Sequence, residues 1–296
     1  MRNRLINKFI SLLFLENIGR IYMNKFNLNK NKDLYYFTIP QFEKFNFVKH
    51  LFTTRVGLIN SKEKYDFNLD MGLNNYNNRN NTINNFKKLS KIIDSSVDNM
   101  VLSQQVHETN IKIVTKEDKG KGLSRKSDYN SIDGLITNCT DVPLVTYYAD
   151  CVPLFFLDPN KRIIGLAHAG WRGTVKKIAA KMIETMKNKF LCNEQEILVA
   201  IGPSIGPCCY EVGKEVFEKF NSNFTISTNL MKPISKNKYM LNLWEANRLV
   251  LKEKGVLNRN IVVSNLCTSC NNDLLYSYRK ENGNTGRMVA IIKLNE

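Results

Sequence analysis

The chain has 296 residues, 43% of them hydrophobic, which is enough apolar material for one large domain or two small ones. Its net charge of +16 would suit an anionic partner, but the lysines are spread along the chain and no nucleic-acid-binding motif is present, so we expect no nucleic-acid partner. No run reaches the roughly 18 apolar residues of a membrane span, so we expect no membrane partner either.

The N-terminal segment differs from the rest of the chain. Met1 to Tyr22 combines basic residues with a short apolar stretch, Phe9 to Leu15, and lacks the small-residue cleavage site of a secretory signal. Met23 offers a second start for translation. We therefore expect residues 1–22 to be an N-terminal extension and residues 23–296 to form a single domain.

The first half of the chain predicts short strands around one helix. Apolar residues at helical spacing between Ile83 and Ile93 predict this helix, after an Asn-rich loop at 74–81. A charged, glycine-containing stretch at 116–131 predicts an exposed loop. Runs rich in aromatic and β-branched residues predict strands at 34–39, 45–55, 100–106, 111–115, 132–137 and 143–148.

A β-hairpin is predicted near the middle of the chain. Apolar runs at 152–157 and 162–168 flank Asp158-Pro159-Asn160-Lys161, a strong turn sequence because Asp favours the first turn position and Pro the second. If Asp158 pairs with Lys161, the same register places Cys151 opposite His168, with Cβ atoms about 5 Å apart. A shift of one residue would break this relation.

The second half alternates helices and strands. Thr174 is predicted to cap a helix whose apolar stripe runs from Val175 to Phe190. A loop with two glycines and two prolines is predicted at 202–210. This alternation, hairpins included, predicts a layered α/β (α+β) sandwich with mixed β-sheets rather than a regular parallel sheet. The remaining elements are strands at 196–201, 261–264, 275–278 and 288–294 and helices at 214–220 and 243–254.

Three residues form a candidate metal site: His107, Cys151 and His168. The chain has only three histidines, and two of them lie in the distinctive strings QVH and AHAGWRGT. Two neutral imidazoles and a thiolate suit Zn²⁺, and three protein ligands with an open fourth position are the catalytic pattern. The sequence therefore predicts an enzyme. His50 is interpreted as an ordinary strand histidine, and Asp150 would point away from Cys151 in a regular strand.

The cysteines indicate a reducing compartment. Their number, seven, is odd, two are adjacent, and no regular spacing suggests a disulfide framework, so we expect a cytoplasmic protein. Cys267 and Cys270 form a lone CxxC motif. A zinc ribbon requires a second pair at similar spacing, which the chain lacks, and we interpret the motif as structural.

A series of short strings follows in order along residues 34–294: FTTR (52–55), QVH (105–107), DGLIT (133–137), ADCVPL (149–154), AHAGWRGT (167–174), IGPSIGPCCYEVG (201–213) and CT…YSYR…TGRM (267–288). Together they resemble the laccase-domain family, whose members are labelled polyphenol oxidase, purine nucleoside phosphorylase or peptidoglycan editing factor. The resemblance implies a single-domain α/β sandwich similar to Cys–His hydrolases, with 23–296 as the laccase-like catalytic domain. The family's His, Cys and His ligands fall on His107, Cys151 and His168. Glu108 departs from the pattern, since glycine is commoner there.

The resemblance also implies an activity. It is phosphorolysis of adenosine, inosine and methylthioadenosine, with adenosine deamination as a companion, on one Zn²⁺ per chain. Copper is the less favoured ion, because multicopper chemistry needs more than three histidines. An arginine clamp would stabilise the negative charges of phosphate in a dry site. Arg55 is the first candidate for this role and Arg172 the second. Two alternatives stay open: an editing factor for peptidoglycan precursors, and a metal-free hydrolase with Cys151 activated by a histidine.

Overall fold

The computed structural model describes residues 25–31, 34–60, 64–66, 69–73, 79–225 and 227–296. The expected N-terminal extension, 1–22, lies outside the described residues, as do positions 74–78 of the predicted Asn-rich loop. The rest of that loop, 79–81, is the first turn of a helix. Across the described ranges, no helix is both long and apolar enough to cross a membrane.

Short strands make up most of the regular structure. The α-helices are α1 (Pro40–Glu43), α2 (Arg79–Ile92), α3 (Trp171–Val175), α4 (Ile178–Phe190), α5 (Lys214–Asn221) and α6 (Leu243–Glu253). The strands are β1 (Asn27–Asn31), β2 (Leu34–Thr38), β3 (Val48–Asn60), β4 (Lys64–Asp66), β5 (Val101–Leu102), β6 (Ile111–Ile113), β7 (Gly134–Thr137), β8 (Leu144–Tyr148), β9 (Val152–Asp158), β10 (Ile163–Ala169), β11 (Leu198–Ile201), β12 (Glu211–Gly213), β13 (Met231–Ser235), β14 (Lys238–Leu241), β15 (Ile261–Val263) and β16 (Met288–Leu294).

These strands form two large sheets and one small one. The first is seven-stranded, in the order β1-β2-β3-β16-β8-β5, with β4 also paired to β3. The second is six-stranded, in the order β15-β11-β9-β10-β7-β6, and the small third sheet is β12-β14-β13. Both large sheets contain parallel and antiparallel pairs, for example β5 with β8 and β11 with β15 in parallel. The predicted sandwich with mixed β-sheets is confirmed.

The hydrophobic core lies in three layers. Phe155 and Leu166 of the six-stranded sheet pack with Ile292 of the seven-stranded sheet, so the two sheets face each other. On its outer face, the seven-stranded sheet is covered by α2 through Phe86. The outer face of the six-stranded sheet is covered by α4 and α6, with Met182 of α4 in that cluster. Strands β9 and β10 are therefore buried on both faces, which explains their nearly continuous apolar sequences.

The central hairpin forms, but its predicted register is wrong by two residues. Asp158 pairs with Ile163 rather than with Lys161, so the connecting loop has four residues. The Asp158 Oδ1 atom accepts hydrogen bonds from the backbone N–H groups of Asn160 and Lys161, both at 2.9 Å. Arg162 closes the loop in a left-handed conformation, with φ of 51°. The side chain of Asp158 thus organises a longer turn than the Asp-Pro signal indicates.

This error leaves the predicted site intact. His168 is opposite Pro153, and Cys151 directly precedes β9. Because side chains alternate faces with a period of two, a shift of two residues keeps Cys151 and His168 on the same side of the hairpin.

Two other predictions need correction. The helix predicted to start at Thr174 is two helices, because Lys177 adopts a left-handed conformation with φ of 58° between α3 and α4. The Thr174 hydroxyl donates to the Ala169 carbonyl at 3.3 Å and does not cap a helix. The strand predicted at 275–278 is irregular and follows a turn in which the Leu275 N–H donates to Asn271 O at 2.9 Å. A short buried apolar run does not by itself distinguish a strand from packed turns.

His50 has a structural role that makes stability depend on pH. It is buried in β3, and its Nε2 accepts the N–H of Ile39 at 2.7 Å. Burial lowers the pKa of His50 to about 3. The unfolded chain therefore takes up this proton first, and stability is lost as the pH falls from about 6.5 towards 3.

We expect protonation of this histidine in the unfolded chain to lower the free energy of unfolding by about 2 kcal/mol when the pH falls from 7 to 5. The figure follows from about 1.4 kcal/mol per pKa unit. His50→Gln keeps an acceptor for Ile39 but cannot titrate, so its unfolding free energy should fall less over the same interval. Urea denaturation of both proteins at the two pH values measures the difference. Equal losses in the two proteins would contradict the assignment.

Candidate metal centre and active-site cleft

The structure brings the three predicted ligands together. The donor atoms of His107, Cys151 and His168 all lie within 4.8 Å of one another, and Cys151 Sγ is 3.9 Å from His107 Nε2. The two imidazole rings are 4.8 Å apart between centroids and nearly perpendicular, at 79°. We call these three residues the histidine centre.

Each ligand is positioned by a different element. His168 belongs to β10, Cys151 directly precedes β9, and these neighbouring strands place the two side chains at one edge of the six-stranded sheet. His107 lies on the segment between β5 and β6 and has a left-handed backbone, with φ of 65°. A non-glycine residue in this region of φ is uncommon and is found where surrounding contacts enforce it.

Asp133 supplies those contacts, and sequence reasoning did not single it out. Its Oδ1 lies 2.8 Å from His168 Nδ1, which leaves Nε2 of that ring for an ion. The same carboxylate accepts the backbone N–H groups of Val106, His107 and Glu108 at 3.1, 3.0 and 2.9 Å. The available signal was the Asp in the DGLIT string, at the start of a predicted strand. Asp133 thus holds two of the three ligands in place.

The charges of the centre reinforce one another. Burial by itself raises the pKa of Cys151, but the neighbouring His168 and His107 outweigh it and lower that pKa to about 6. Burial lowers the pKa of His168, whereas Cys151 and Asp133 raise it, to a net value of about 9. Burial also raises the pKa of Asp133, and the interactions with His168 bring it below its ordinary value. Cys151 is therefore poised as a thiolate, the form that binds metals and attacks electrophiles.

The residues present fit a single metal ion. Two imidazoles and one thiolate are the donor set, and exposed His107 opens the centre to the cleft described below. The opposite side is closed by the backbone at Gly170, where a Cβ atom would lie 2.9 Å from His107 Cδ2 and 3.1 Å from Cys151 Sγ. His50, the remaining histidine, is buried in β3. The histidines therefore suffice for one ion and not for a multicopper centre.

Gly170→Ala is expected to abolish metal binding at the histidine centre, because the added methyl group displaces two ligands at once. The matched control is Gly213→Ala, where a Cβ atom has nothing within 4 Å. Elemental analysis of both variants, with thermal melting to confirm folding, measures the effect. A Gly170→Ala protein that keeps its full metal content would show that the centre tolerates more displacement than these distances allow.

A cleft of about 1200 Å³ contains the histidine centre. Its lining includes Tyr147, whose hydroxyl is buried and has no hydrogen-bond partner among the described residues. This hydroxyl therefore has an unused capacity to form a hydrogen bond. The cleft is also basic, because four arginines line it: Arg79, Arg172, Arg279 and Arg287.

The two arginines predicted to bind phosphate lie in different surroundings. Arg55 is absent from the described cleft lining, and its Nη1 donates to Glu281 Oε1 at 3.0 Å and to Asn272 O at 2.9 Å. Its guanidinium also lies 4.4 Å from the centroid of the Tyr276 ring. Arg172 lines the cleft, stacks on Trp171 at 4.4 Å, and forms no ion pair within the described ranges. The structure therefore places Arg172, and not Arg55, in the lining of the cleft that contains the histidine centre.

Asp150 is a further residue of structural importance. It has a left-handed backbone, with φ of 84°, so the chain does not enter β9 as a regular strand. Its carboxylate accepts hydrogen bonds from the Thr268 hydroxyl and from the backbone N–H of Arg279, the latter at 2.7 Å. These contacts occupy both carboxylate oxygens. Asp150 thus anchors the C-terminal loops next to Cys151.

Fold and site together define a mixed-sheet sandwich protein with a His–Cys–His centre in a basic cleft. A family model described as multi-copper polyphenol oxidoreductase laccase matches residues 49–295. The chain belongs to this laccase-domain family, as the sequence resemblance predicted.

Relatives of known name and structure agree with this assignment. The purine nucleoside phosphorylase YlmD of Geobacillus stearothermophilus is 40% identical over 230 residues, covering 77% of this chain and 84% of the relative. The protein of the same name from Bacillus subtilis is 36% identical over 247 residues, covering 83% and 88%. The crystal structure of the Bacillus licheniformis hypothetical protein YfiH superposes with a TM-score of 0.82 at 34% identity, over 92% of this chain and 100% of that chain.

Proposed function

We propose that this protein is a purine nucleoside phosphorylase that uses one Zn²⁺ at His107, Cys151 and His168. The observation that carries the proposal is the His–Cys–His cluster inside an arginine-lined cleft. The names of the relatives from Geobacillus and Bacillus support it. The substrates we propose are adenosine, inosine and methylthioadenosine, with adenosine deamination as a companion activity.

Phosphorolysis places clear demands on the cleft. A phosphate oxygen attacks C1′ of the ribose, the bond from C1′ to the purine nitrogen breaks, and the base leaves with its electron pair and takes up a proton. A bound Zn²⁺ would supply Lewis-acid chemistry beside this reaction. The chain itself must hold phosphate and nucleoside in contact and exclude water.

Arg172 is the residue we propose for phosphate. It lies in the cleft, it belongs to the short helix α3 that follows the strand carrying His168, and no described carboxylate neutralises it. A guanidinium binds two phosphate oxygens at once, which fixes the nucleophile as well as its charge. The Tyr147 hydroxyl, which is free to form a hydrogen bond, is a candidate contact for the nucleoside. Arg55 stays a prediction, and its contacts with Glu281 favour a role in holding the C-terminal segment.

Two further predictions belong to this proposal. We propose that residues 23–296 form the catalytic domain, since every motif of the resemblance lies after position 34. We also propose a cytoplasmic location, because all seven cysteines are free.

Incubation of the purified protein with adenosine, with and without phosphate, tests the function. Adenine and ribose 1-phosphate that appear only with phosphate establish phosphorolysis. Inosine establishes deamination. If neither forms, and inosine and methylthioadenosine also stay intact, the phosphorylase proposal fails and the role in peptidoglycan-precursor editing gains support.

A metal-free Cys–His hydrolase is the second candidate, and one observation favours it. Asp133, His168 and Cys151 form a chain of orienting acid, base and nucleophile, with the pKa of Cys151 lowered to about 6. Removal of metal separates the two candidates. Turnover that requires Zn²⁺ supports the phosphorylase, whereas hydrolysis that persists without metal and is blocked by iodoacetamide at Cys151 supports the hydrolase.

A further inference from the structure

Four cysteines outside the histidine centre converge at one edge of the six-stranded sheet. Cys208 and Cys209 lie between β11 and β12, and Cys267 and Cys270 follow β15. Their sulfur atoms all lie within 4.8 Å of one another, and Cys270 Sγ is 3.4 Å from both Cys208 Sγ and Cys209 Sγ. All four are free thiols. We call them the tetracysteine cluster.

The sheet topology explains this convergence. Strands β11 and β15 are parallel neighbours, so the segments that follow them leave the sheet at the same edge. Their pairing continues into the loops, where the Thr268 N–H donates to Ser204 O at 3.0 Å and an isolated bridge links Ser204 to Cys267. Gly206 permits the close approach, because a Cβ atom there would lie 3.2 Å from Cys267 Cβ. The CxxC motif therefore does have a second pair of cysteines, at adjacent positions rather than at CxxC spacing.

We propose that the tetracysteine cluster binds one Zn²⁺ through four thiolates. A tetrahedral zinc ion with bonds of about 2.3 Å holds its sulfur ligands about 3.8 Å apart. The sulfurs of the cluster lie close to this spacing, so small side-chain rotations suffice. Each thiol gives up a proton to solvent as it binds, so one ion displaces four protons, and nothing is oxidised or reduced.

A metal ion accounts for the arrangement better than a disulfide does. A disulfide joins two sulfurs at about 2.05 Å, shorter than the 3.4 Å that separates Cys270 Sγ from Cys208 Sγ and from Cys209 Sγ. Cys270 is equally distant from Cys208 and Cys209, so the geometry selects no disulfide partner. In addition, the backbone N–H of Gly206 donates to Cys267 Sγ at 3.2 Å, a contact that stabilises negative charge on a ligating sulfur. Cys208 and Cys270 are exposed, so an ion can enter from solvent.

The bound ion would fasten one wall of the active-site cleft. Ile205 and Tyr210 from the first loop line the cleft, as do Tyr278 and Arg279 beyond the second. Asp150, the neighbour of Cys151, accepts hydrogen bonds from the backbone of both Ile205 and Arg279, at 2.9 and 2.7 Å. A zinc ion that links the two loops of the tetracysteine cluster would therefore position residues on either side of the histidine centre. The metal site rests on the sulfur geometry alone, and only its effect on turnover rests on the proposed function.

Zinc analysis of the full chain, purified under reducing conditions, tests the site. We expect two Zn²⁺ per chain in the unmodified protein and one in Cys151→Ala, because the two clusters share no ligand. Adding Cys267→Ser and Cys270→Ser to Cys151→Ala should remove the remaining ion. Adding Cys139→Ser instead should not, since Cys139 lies outside both clusters. A zinc-free Cys151→Ala protein would overturn the proposal.

Thiol reactivity shows whether the tetracysteine cluster binds zinc even where the serine variants unfold. In zinc-loaded Cys151→Ala, the cluster's thiols should react with Ellman's reagent slowly and become fast only after a chelator is added. Fast reaction without chelator, or two missing thiols in denatured, unreduced protein, overturns the proposal. With Cys151 intact, Cys270→Ser should lower turnover severalfold while the histidine centre keeps its zinc. The zinc count does not depend on the reaction catalysed, so a failed phosphorylase assay leaves this result standing.

Discussion

Cys151→Ala is expected to remove one Zn²⁺ per chain and to reduce phosphorolysis by more than about 100-fold, beyond the 10- to 100-fold typical when a residue behind a metal ligand is changed. The reason is that Cys151 is the only thiolate of the histidine centre, and its Sγ lies within 4.8 Å of a donor nitrogen of each imidazole. Elemental analysis and an adenosine phosphorolysis assay measure the two effects. Cys139→Ala is the matched control, because that cysteine belongs to neither cluster.

Asp133→Asn refines this test. It removes the negative charge that orients His168 through Nδ1 while keeping the size of the side chain. We expect weaker zinc binding and a loss of activity within the 10- to 100-fold range, smaller than the loss in Cys151→Ala. Zinc retained in full by Cys151→Ala would show that this thiolate is not a ligand, and would leave the hydrolase as the better account of the centre.

Arg172→Lys is expected to weaken the use of phosphate by tenfold or more, about 1.4 kcal/mol, as a rise in the KM for phosphate. Lysine keeps the positive charge but cannot bind two phosphate oxygens in the planar geometry of a guanidinium. Phosphate-independent deamination should suffer less than phosphorolysis. Zinc content and melting temperature should stay close to those of the unmodified protein, because Arg172 forms no ion pair with a described residue and stacks only on Trp171.

Arg55→Lys is the informative comparison, because both arginines are candidates from the sequence. Its side chain is 14% exposed and pairs with Glu281, so we expect its replacement to lower the melting temperature and to change the KM for phosphate little. The reverse pattern, with a raised KM in Arg55→Lys and none in Arg172→Lys, would return the phosphate site to Arg55.

Much of the architecture was predictable because its signals are local. The apolar runs of β9 and β10, the turn at Asp158 and the stripe of α4 each lie within a few residues, and the structure places these elements near the predicted bounds. Errors arose where a single residue changed the local geometry. Lys177 divides the predicted helix, and the carboxylate of Asp158 lengthens the hairpin loop.

The composition of the histidine centre was also predictable, because histidines are so few in the chain. The chain has only three histidines, and two of them lie with Cys151 in the strings QVH, ADCVPL and AHAGWRGT, which led to His107, Cys151 and His168 as candidate ligands. The structure adds that they meet, within 4.8 Å.

The partners of these residues depended on tertiary structure alone. Asp133 contacts His168 across 35 positions of sequence, and Cys208 approaches Cys270 across 62. Arg55, which is absent from the described cleft lining, meets Glu281 across 226 positions. Periodicity and turn chemistry report only on neighbours along the chain, whereas these contacts arise because the sheets bring distant strand ends to one edge. The sequence by itself therefore determined which groups this protein has for chemistry, and the packing of the two sheets decided which of them hold, orient and surround the site.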